Sequence, residues 1–113
     1  MTIKILMDTD PGIDDAAALT MAINDPNIDL KLITTVAGNV TVDKTTINAL
    51  KIVRFFNQDI PVAAGAEQPL FKDFEDVARI HGASGMPGYE FPTDLPKPLH
   101  KTAVEALHDE IMA

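Results

Sequence analysis

Short apolar and β-branched runs alternate along the chain with longer segments whose apolar residues recur at helical spacing. Runs of this kind between turn residues are typical of buried strands, and alanine-rich or one-sided apolar patterns are typical of helices. The pattern predicts strands at about 3–7, 30–36 and 59–65 and helices at about 15–24, 42–57 and 102–113.

Between Gly65 and Lys101 the regular pattern breaks down. This segment holds five of the eight prolines and four of the six glycines, and within it only 72–79 predicts a short helix. Long irregular segments in a small domain are usually binding loops, lids or disordered stretches. In the helix that follows, Thr102 is suited to the N-cap position. The apolar face of that helix is predicted to contain Ala103, Val104, Leu107 and Ile111.

The order of the first five elements, β-α-β-α-β, predicts right-handed crossovers between parallel strands. We therefore expect an α/β fold, a Rossmann-like parallel sheet with helices on both faces. A chain of 113 residues is long enough for one domain with a real core, and we expect a single domain over 1–113.

Composition narrows the class of protein. Hydrophobic residues make up 46% of the chain, which is typical of a globular domain, and no apolar run reaches the roughly 18 residues of a membrane helix. The absence of cysteine excludes disulfides and thiolate metal sites and fits a reducing compartment. The start of the chain lacks the basic and then apolar pattern of a secretory signal. We expect a cytoplasmic protein without a membrane partner.

The net charge of -8 argues against a nucleic-acid partner, because the nine lysines and arginines are scattered rather than clustered. An acidic balance favours solubility, or a hard cation held by oxygen ligands. The chemistry of the chain is therefore expected among its carboxylates.

Four carboxylates, Asp8, Asp10, Asp14 and Asp15, fall within eight residues where the first strand is followed by the first helix. We call residues 8–15 the acidic turn. The carboxyl end of a strand is the usual place for a site in an open α/β sheet. Asp14 or Asp15 alone would be explained as a favourable charge at a helix N-terminus. Four carboxylates repel one another, and a bound cation relieves that repulsion.

Two known acidic motifs share features with the turn. A calcium-binding EF-hand loop starting at Asp8 would require Gly at the position of Ile13 and Glu at the position of Leu19, so it is excluded. Phosphatases with an aspartate nucleophile also carry Asp-x-Asp after a first strand. In those enzymes a phosphate-binding Thr follows the motif, whereas here Pro11, Gly12 and Ile13 follow it. A Mg²⁺-dependent phosphatase-like hydrolase with Asp8 as nucleophile, or a fragment without catalytic function, remains as an alternative.

Two further candidates lie outside the acidic turn. Asn39 follows the second predicted strand, where it either stabilises a turn or contacts a ligand. His81 stands beside Gly82, Ser84 and Gly85 in the irregular segment. Ser84 itself lacks the closing glycine and the preceding strand of a nucleophile elbow.

Residues 8–16, Asp-Thr-Asp-Pro-Gly-Ile-Asp-Asp-Ala, resemble the signature of the calcium-dependent nucleoside hydrolases of the inosine-uridine preferring type. Residues 34–39, 61–65 and 81–86 resemble the family's second strand with its Gly-Asn turn, its third strand and its His-Gly-x-Ser-Gly segment. The resemblance implies hydrolysis of the N-glycosidic bond of ribonucleosides to base and ribose, as in nucleoside catabolism and salvage. It also implies Ca²⁺ as cofactor and a homo-oligomer.

The resemblance further implies a role for each matching residue. Asp10 would bind Ca²⁺ and take a proton from the attacking water, and Asp15 would bind Ca²⁺. Asp14 would hydrogen-bond the ribose 2′-hydroxyl. The other matching residues are Asn39 for the ribose hydroxyls, His81 near the base, and Asp8 as a support behind the metal ligands.

Members of the family are much longer than this chain, which resembles only their amino-terminal portion. Their later strands carry further ligands for the metal and ribose. We therefore expect the 113 residues to be a truncated part of a larger nucleoside hydrolase domain, with little or no activity alone.

Overall fold

The computed structural model describes residues 2–38, 40–67 and 95–113, apart from the side chain of Ile13. The short helix predicted at 72–79 lies outside these residues. Within them the elements are β1 (Ile3–Thr9), α1 (Ile13–Asn24), β2 (Ile28–Thr35), α2 (Val42–Phe55), β3 (Val62–Ala64) and α3 (Ala103–Met112). Every strand and helix predicted in these ranges is present, with ends that differ by a few residues.

The described strands form a parallel sheet in the order β1-β2-β3. β2 is central and pairs with β1 along its length, whereas β3 pairs with it only over three residues. β3 is shorter than predicted: its pairing begins after Pro61, whose carbonyl accepts a hydrogen bond from Ile33 N at 3.0 Å. A proline cannot donate a ladder bond of its own, which fits its place at the start of a strand.

Helices cover both faces of the sheet, so the predicted fold class is confirmed. α1 and α2 pack on one face, around Leu19, Ile33 and Val53. α3 packs on the other face, where Ala106 contacts a small core with Leu32 and Ala63. None of the described helices has the length and apolar character needed to span a bilayer.

A bulge decides which residues of β2 enter each core. Ile5 pairs with Leu30 but Leu6 pairs with Leu32, so Lys31 is an extra residue in β2. Side chains alternate along a strand, and one extra residue reverses the alternation. Leu30 and Leu32 consequently lie in cores on opposite faces of the sheet, although they are two residues apart.

The predicted apolar face of α3 is partly wrong. Ala103 and Ala106 are buried, whereas the side chains of Val104 and Ile111 are 77% and 68% exposed. Small residues face the sheet because the backbones approach closely there: a Cβ added to Gly65 would lie 3.2 Å from the Cβ of Ala103. The apolar pattern alone does not reveal that close approach.

The N-terminus of α3 supplies a test of local capping. Thr102 Oγ1 accepts a hydrogen bond from Glu105 N at 3.2 Å, and Thr102 N donates to Glu105 Oε1 at 3.2 Å, which completes a capping box. We expect Thr102→Ala to lower the free energy of unfolding in urea by about 1 kcal/mol. Thr41→Ala is the matched control, because Thr41 caps α2 without a side-chain hydrogen bond. Equal losses in the two variants would contradict the assignment.

Candidate active site

The turns that follow the three described strands meet at one edge of the sheet. Thr9 and Thr35, the last residues of β1 and β2, are paired, and Val36 N donates to Thr9 O at 3.1 Å. Beyond β3, Ala66 O accepts a hydrogen bond from Ala37 N at 3.2 Å. The acidic turn therefore lies beside the turn that follows β2, as expected for the carboxyl ends of parallel strands.

The carboxylate of Asp15 accepts hydrogen bonds from other residues of the acidic turn. Its Oδ2 atom accepts hydrogen bonds from Thr9 Oγ1 at 2.8 Å and from Asp10 N at 3.1 Å. Gly12, the N-cap of α1, offers no side chain for capping, and the helix begins with Ala16 N donating to Gly12 O at 3.0 Å. Asp15 thus does more than place charge at a helix N-terminus, because it fixes the backbone of Asp10 relative to α1.

The side chain of Asp10 packs against the backbone of Gly38 in the turn after β2. A Cβ at Gly38 would clash with Asp10 Oδ2 and would lie 2.7 Å from its Cγ and 2.9 Å from its Cβ. Gly38 N donates to Val40 O at 3.0 Å, which holds that turn in place. Glycine at this position leaves room for the Asp10 carboxylate, which any larger side chain would displace. Asn39, the next residue along, lies outside the described residues.

The other two carboxylates of the turn are exposed. Asp8 is paired with Thr34 across the sheet, and its Oδ1 accepts a hydrogen bond from Thr34 Oγ1 at 2.6 Å. Because successive side chains of a strand point to opposite faces, Asp8 and the buried Thr9 diverge. Asp14 lies in the first turn of α1 and is open to solvent.

The turn is also held from α2. Asn48 Nδ2 donates to Pro11 O at 3.0 Å, and both residues are buried. Neither Asn48 nor Thr9 was predicted from the sequence as part of the site. The available signal for Asn48 was an amide next to the apolar residues Ala49 and Leu50 of a predicted helix, where a buried polar group needs a partner.

The ligand set for a metal is incomplete over the ranges that the structure covers. Among residues 2–38, 40–67 and 95–113, no group of three or more His, Cys, Asp or Glu side chains is arranged to hold an ion. His81, the predicted contact of the base, lies outside these ranges. The described part of the site is thus a pair of positioned carboxylates, Asp10 and Asp15, with Asp14 exposed at the adjoining helix terminus.

The described residues form an α/β fold with a parallel sheet. The acidic turn lies at the carboxyl ends of its strands. Residues 5–113 match the family described as inosine-uridine preferring nucleoside hydrolase, and the chain belongs to this family. The match favours the nucleoside hydrolase interpretation over the phosphatase alternative.

Similar proteins agree in sequence and in fold. The chain is 52% identical over 112 residues to the non-specific ribonucleoside hydrolase of Klebsiella pneumoniae subsp. pneumoniae, which is 99% of this chain and 37% of that protein. It superposes on the purine-preferring ribonucleoside hydrolase from Gardnerella vaginalis with a TM-score of 0.90 at 31% identity, covering 97% of this chain and 36% of that one. A plant nucleoside hydrolase gives a TM-score of 0.84 at 37% identity, over 96% and 35% of the two chains. The chain thus spans about a third of the length of these relatives.

Proposed function

We propose that this chain supplies the amino-terminal part of the site of a Ca²⁺-dependent ribonucleoside hydrolase. The observation that carries the proposal is a pair of acidic residues in one strand-to-helix turn: the Asp15 carboxylate accepts a hydrogen bond from Asp10 N, and the Asp10 side chain packs against Gly38. Carboxylate oxygens are the ligands that Ca²⁺ prefers, so the donor set fits this ion. The similar proteins are described as non-specific, purine-preferring and inosine-guanosine hydrolases, so they differ in base preference. The proposal is therefore made for ribonucleosides as a class.

Each matching residue has a proposed task in cleaving the N-glycosidic bond. Asp10 and Asp15 hold the ion, and Asp10 accepts a proton from the water that attacks the sugar. When bound, Ca²⁺ orients water and ribose hydroxyls and lowers the pKa of that water. Asp14 accepts a hydrogen bond from the ribose 2′-hydroxyl. The proposed partners of Asn39 and His81 are the ribose hydroxyls and the base, respectively.

Negative charge at this turn also suits the transition state of the reaction. The departure of the base leaves an oxocarbenium-like sugar, and carboxylates near the ring stabilise its positive charge. Asp8, bound to Thr34 across the sheet, supports the turn from behind. The expected homo-oligomer and the cytoplasmic location stay predictions.

A calcium titration of the ¹⁵N-labelled chain, followed by NMR, tests the proposal. Because two ligating carboxylates form only part of a coordination shell, we expect binding with a Kd on the order of 10⁻³ M or weaker. The backbone amide signals of Asp10 and Asp15 should shift most, and the shifts should persist in Asp29→Asn. Asp29 is the control because it lies at the start of β2, at the opposite edge of the sheet.

The titration has an outcome that overturns the metal assignment, namely calcium-dependent shifts that are absent from Asp10 and Asp15 or are spread evenly over all carboxylates. The same sample is then assayed for ribose release from inosine and uridine with Ca²⁺ present. We expect no turnover, because the described residues supply only part of the ligand set. Robust turnover by the 113-residue chain would show that the site is more complete than proposed.

A further inference from the structure

We infer that Asn48 is a positioning residue that fixes the acidic turn from α2. The inference rests on the proposed function, because the acidic turn holds the proposed calcium and ribose ligands. The observation is a hydrogen bond of 3.0 Å from Asn48 Nδ2 to Pro11 O, which links positions 37 residues apart in the chain.

Burial makes this contact consequential. Asn48 is 1% exposed and Pro11 is fully buried. Proline has no N–H group, so its carbonyl is the only backbone group through which the chain can be held at this position. A buried carbonyl that loses its donor is costly, since no water replaces the missing hydrogen bond.

The place of Pro11 explains what the contact controls. Pro11 follows Asp10, and it precedes Gly12, the N-cap of α1. Fixing the Pro11 carbonyl fixes the peptide plane between the strand end and the helix start. Asn48 thereby sets the direction in which α1 leaves β1, and with it the positions of Asp14 and Asp15.

The hydrogen bonds inside the turn cannot do this alone. Asp15 binds Thr9 and Asp10, so those bonds hold the turn together as a unit. The bond from Asn48 ties that unit to α2, the helix that begins just beyond Gly38 and Val40. Without it, we expect the internal bonds of the turn to open more often and the turn to lose its fixed place against Gly38.

The chain offers a matched control for a merely structural role. Thr46 is also buried in α2, and its hydroxyl bonds to Thr35 and to Val42 O rather than to a residue of the acidic turn. Asn48→Leu removes the amide at similar volume, and Thr46→Val removes a buried hydroxyl two residues away. Both variants lose a buried hydrogen bond, and only the first loses the link to the turn.

Three measurements on the two variants decide the question: urea unfolding, residue-resolved hydrogen exchange and the calcium titration. We expect similar losses of global stability. In Asn48→Leu alone, the amides of Asp10 and Ala16 should exchange about tenfold faster than global unfolding explains, and the calcium affinity should fall several-fold. Exchange that follows global stability, together with the calcium affinity of Thr46→Val, would overturn the inference.

The design separates this inference from the proposed function. If the wild-type chain shows no calcium response, the metal assignment fails, and hydrogen exchange still decides whether Asn48 orders the turn. If Asn48→Leu does not fold, Asn48→Ala is measured by the same criteria, since alanine removes the donor without placing a branched side chain in the core. Failure of both variants to fold would overturn the inference, because Asn48 would then serve the whole fold rather than the turn.

Discussion

Replacing Asp15 with alanine is expected to abolish the calcium response of the chain and to disorder the acidic turn. The Asp15 carboxylate is a proposed metal ligand, and its Oδ2 atom also accepts hydrogen bonds from Thr9 Oγ1 and Asp10 N. Alanine removes the negative charge and leaves both donors without this acceptor. Since hydrogen bonds to charged groups contribute about 1.5–3 kcal/mol, we expect a loss of unfolding free energy of that order, reduced by relief of carboxylate repulsion.

Asp15→Asn separates the two roles. The amide oxygen still accepts a hydrogen bond, so the turn should stay ordered by hydrogen exchange at the Asp10 amide. The missing charge should nevertheless weaken calcium binding about tenfold or more, because hard cations prefer carboxylate to amide oxygens. Calorimetry or NMR titration measures the affinity in each variant.

Asp43→Asn is the control for the simpler explanation that Asp15 only favours a helix N-terminus. Asp43 occupies the first turn of α2 and is exposed. A carboxylate that acts only on the helix dipole contributes about 0.3–1 kcal/mol and binds no ion. Equal effects of Asp43→Asn and Asp15→Asn on stability and calcium affinity would refute the special role of Asp15.

The place of the acidic turn was predictable because it follows from topology. Alternating strand and helix patterns imply parallel strands, and the carboxyl ends of parallel strands meet at one edge. The proximity of Asp10 to Gly38 is therefore the kind of contact that sequence reasoning can anticipate. The same reasoning placed the strands and helices correctly, since their apolar periodicity is strong over most of the described chain.

The contacts within the site were less predictable, because they depend on the shape of a single turn. The sequence suggested that Asp15 is a calcium ligand or a charge at a helix N-terminus, but not that its carboxylate reaches back five and six residues to Asp10 and Thr9. Asn48 reaches Pro11, far away in the chain, through a buried bond. Periodicity reports which face of an element is buried but not which polar atoms meet there.

The bulge in β2 shows the same limit in the core. Sequence alternation would place Leu30 and Leu32 on one face of the sheet, but the extra residue Lys31 sends them to opposite faces. The bulge also places Leu30 and Ile33, three residues apart, in the same core. A bulge leaves one residue of a strand unpaired and does not change the amino-acid composition, so only the structure reveals it.

Ile33→Ala is expected to destabilise the fold more than any other single change considered for the core. Ile33 is 0% exposed, lies in the central strand and is paired with Met7 on one side and Val62 on the other. Truncation of a fully buried isoleucine to alanine costs about 2–5 kcal/mol, because a cavity remains beside neighbours that cannot all move in. Small domains are stabilised by about 5–15 kcal/mol, so urea unfolding should show a large fall in the transition midpoint.

Two comparisons make the core prediction decisive. Ile33→Val removes one methylene group and should cost about 0.5–1.5 kcal/mol. Ile111→Ala makes the same isoleucine-to-alanine change at a side chain that is 68% exposed, so its effect should stay within about 0.5 kcal/mol. Equal losses at Ile33 and Ile111 would mean that β2 is not the centre of the core.

The graded result would also bear on the site, because Thr34 and Thr35 extend directly from Ile33 and bond to Asp8 and Thr46. A cavity at Ile33 then loosens the strand end on which the acidic turn is held.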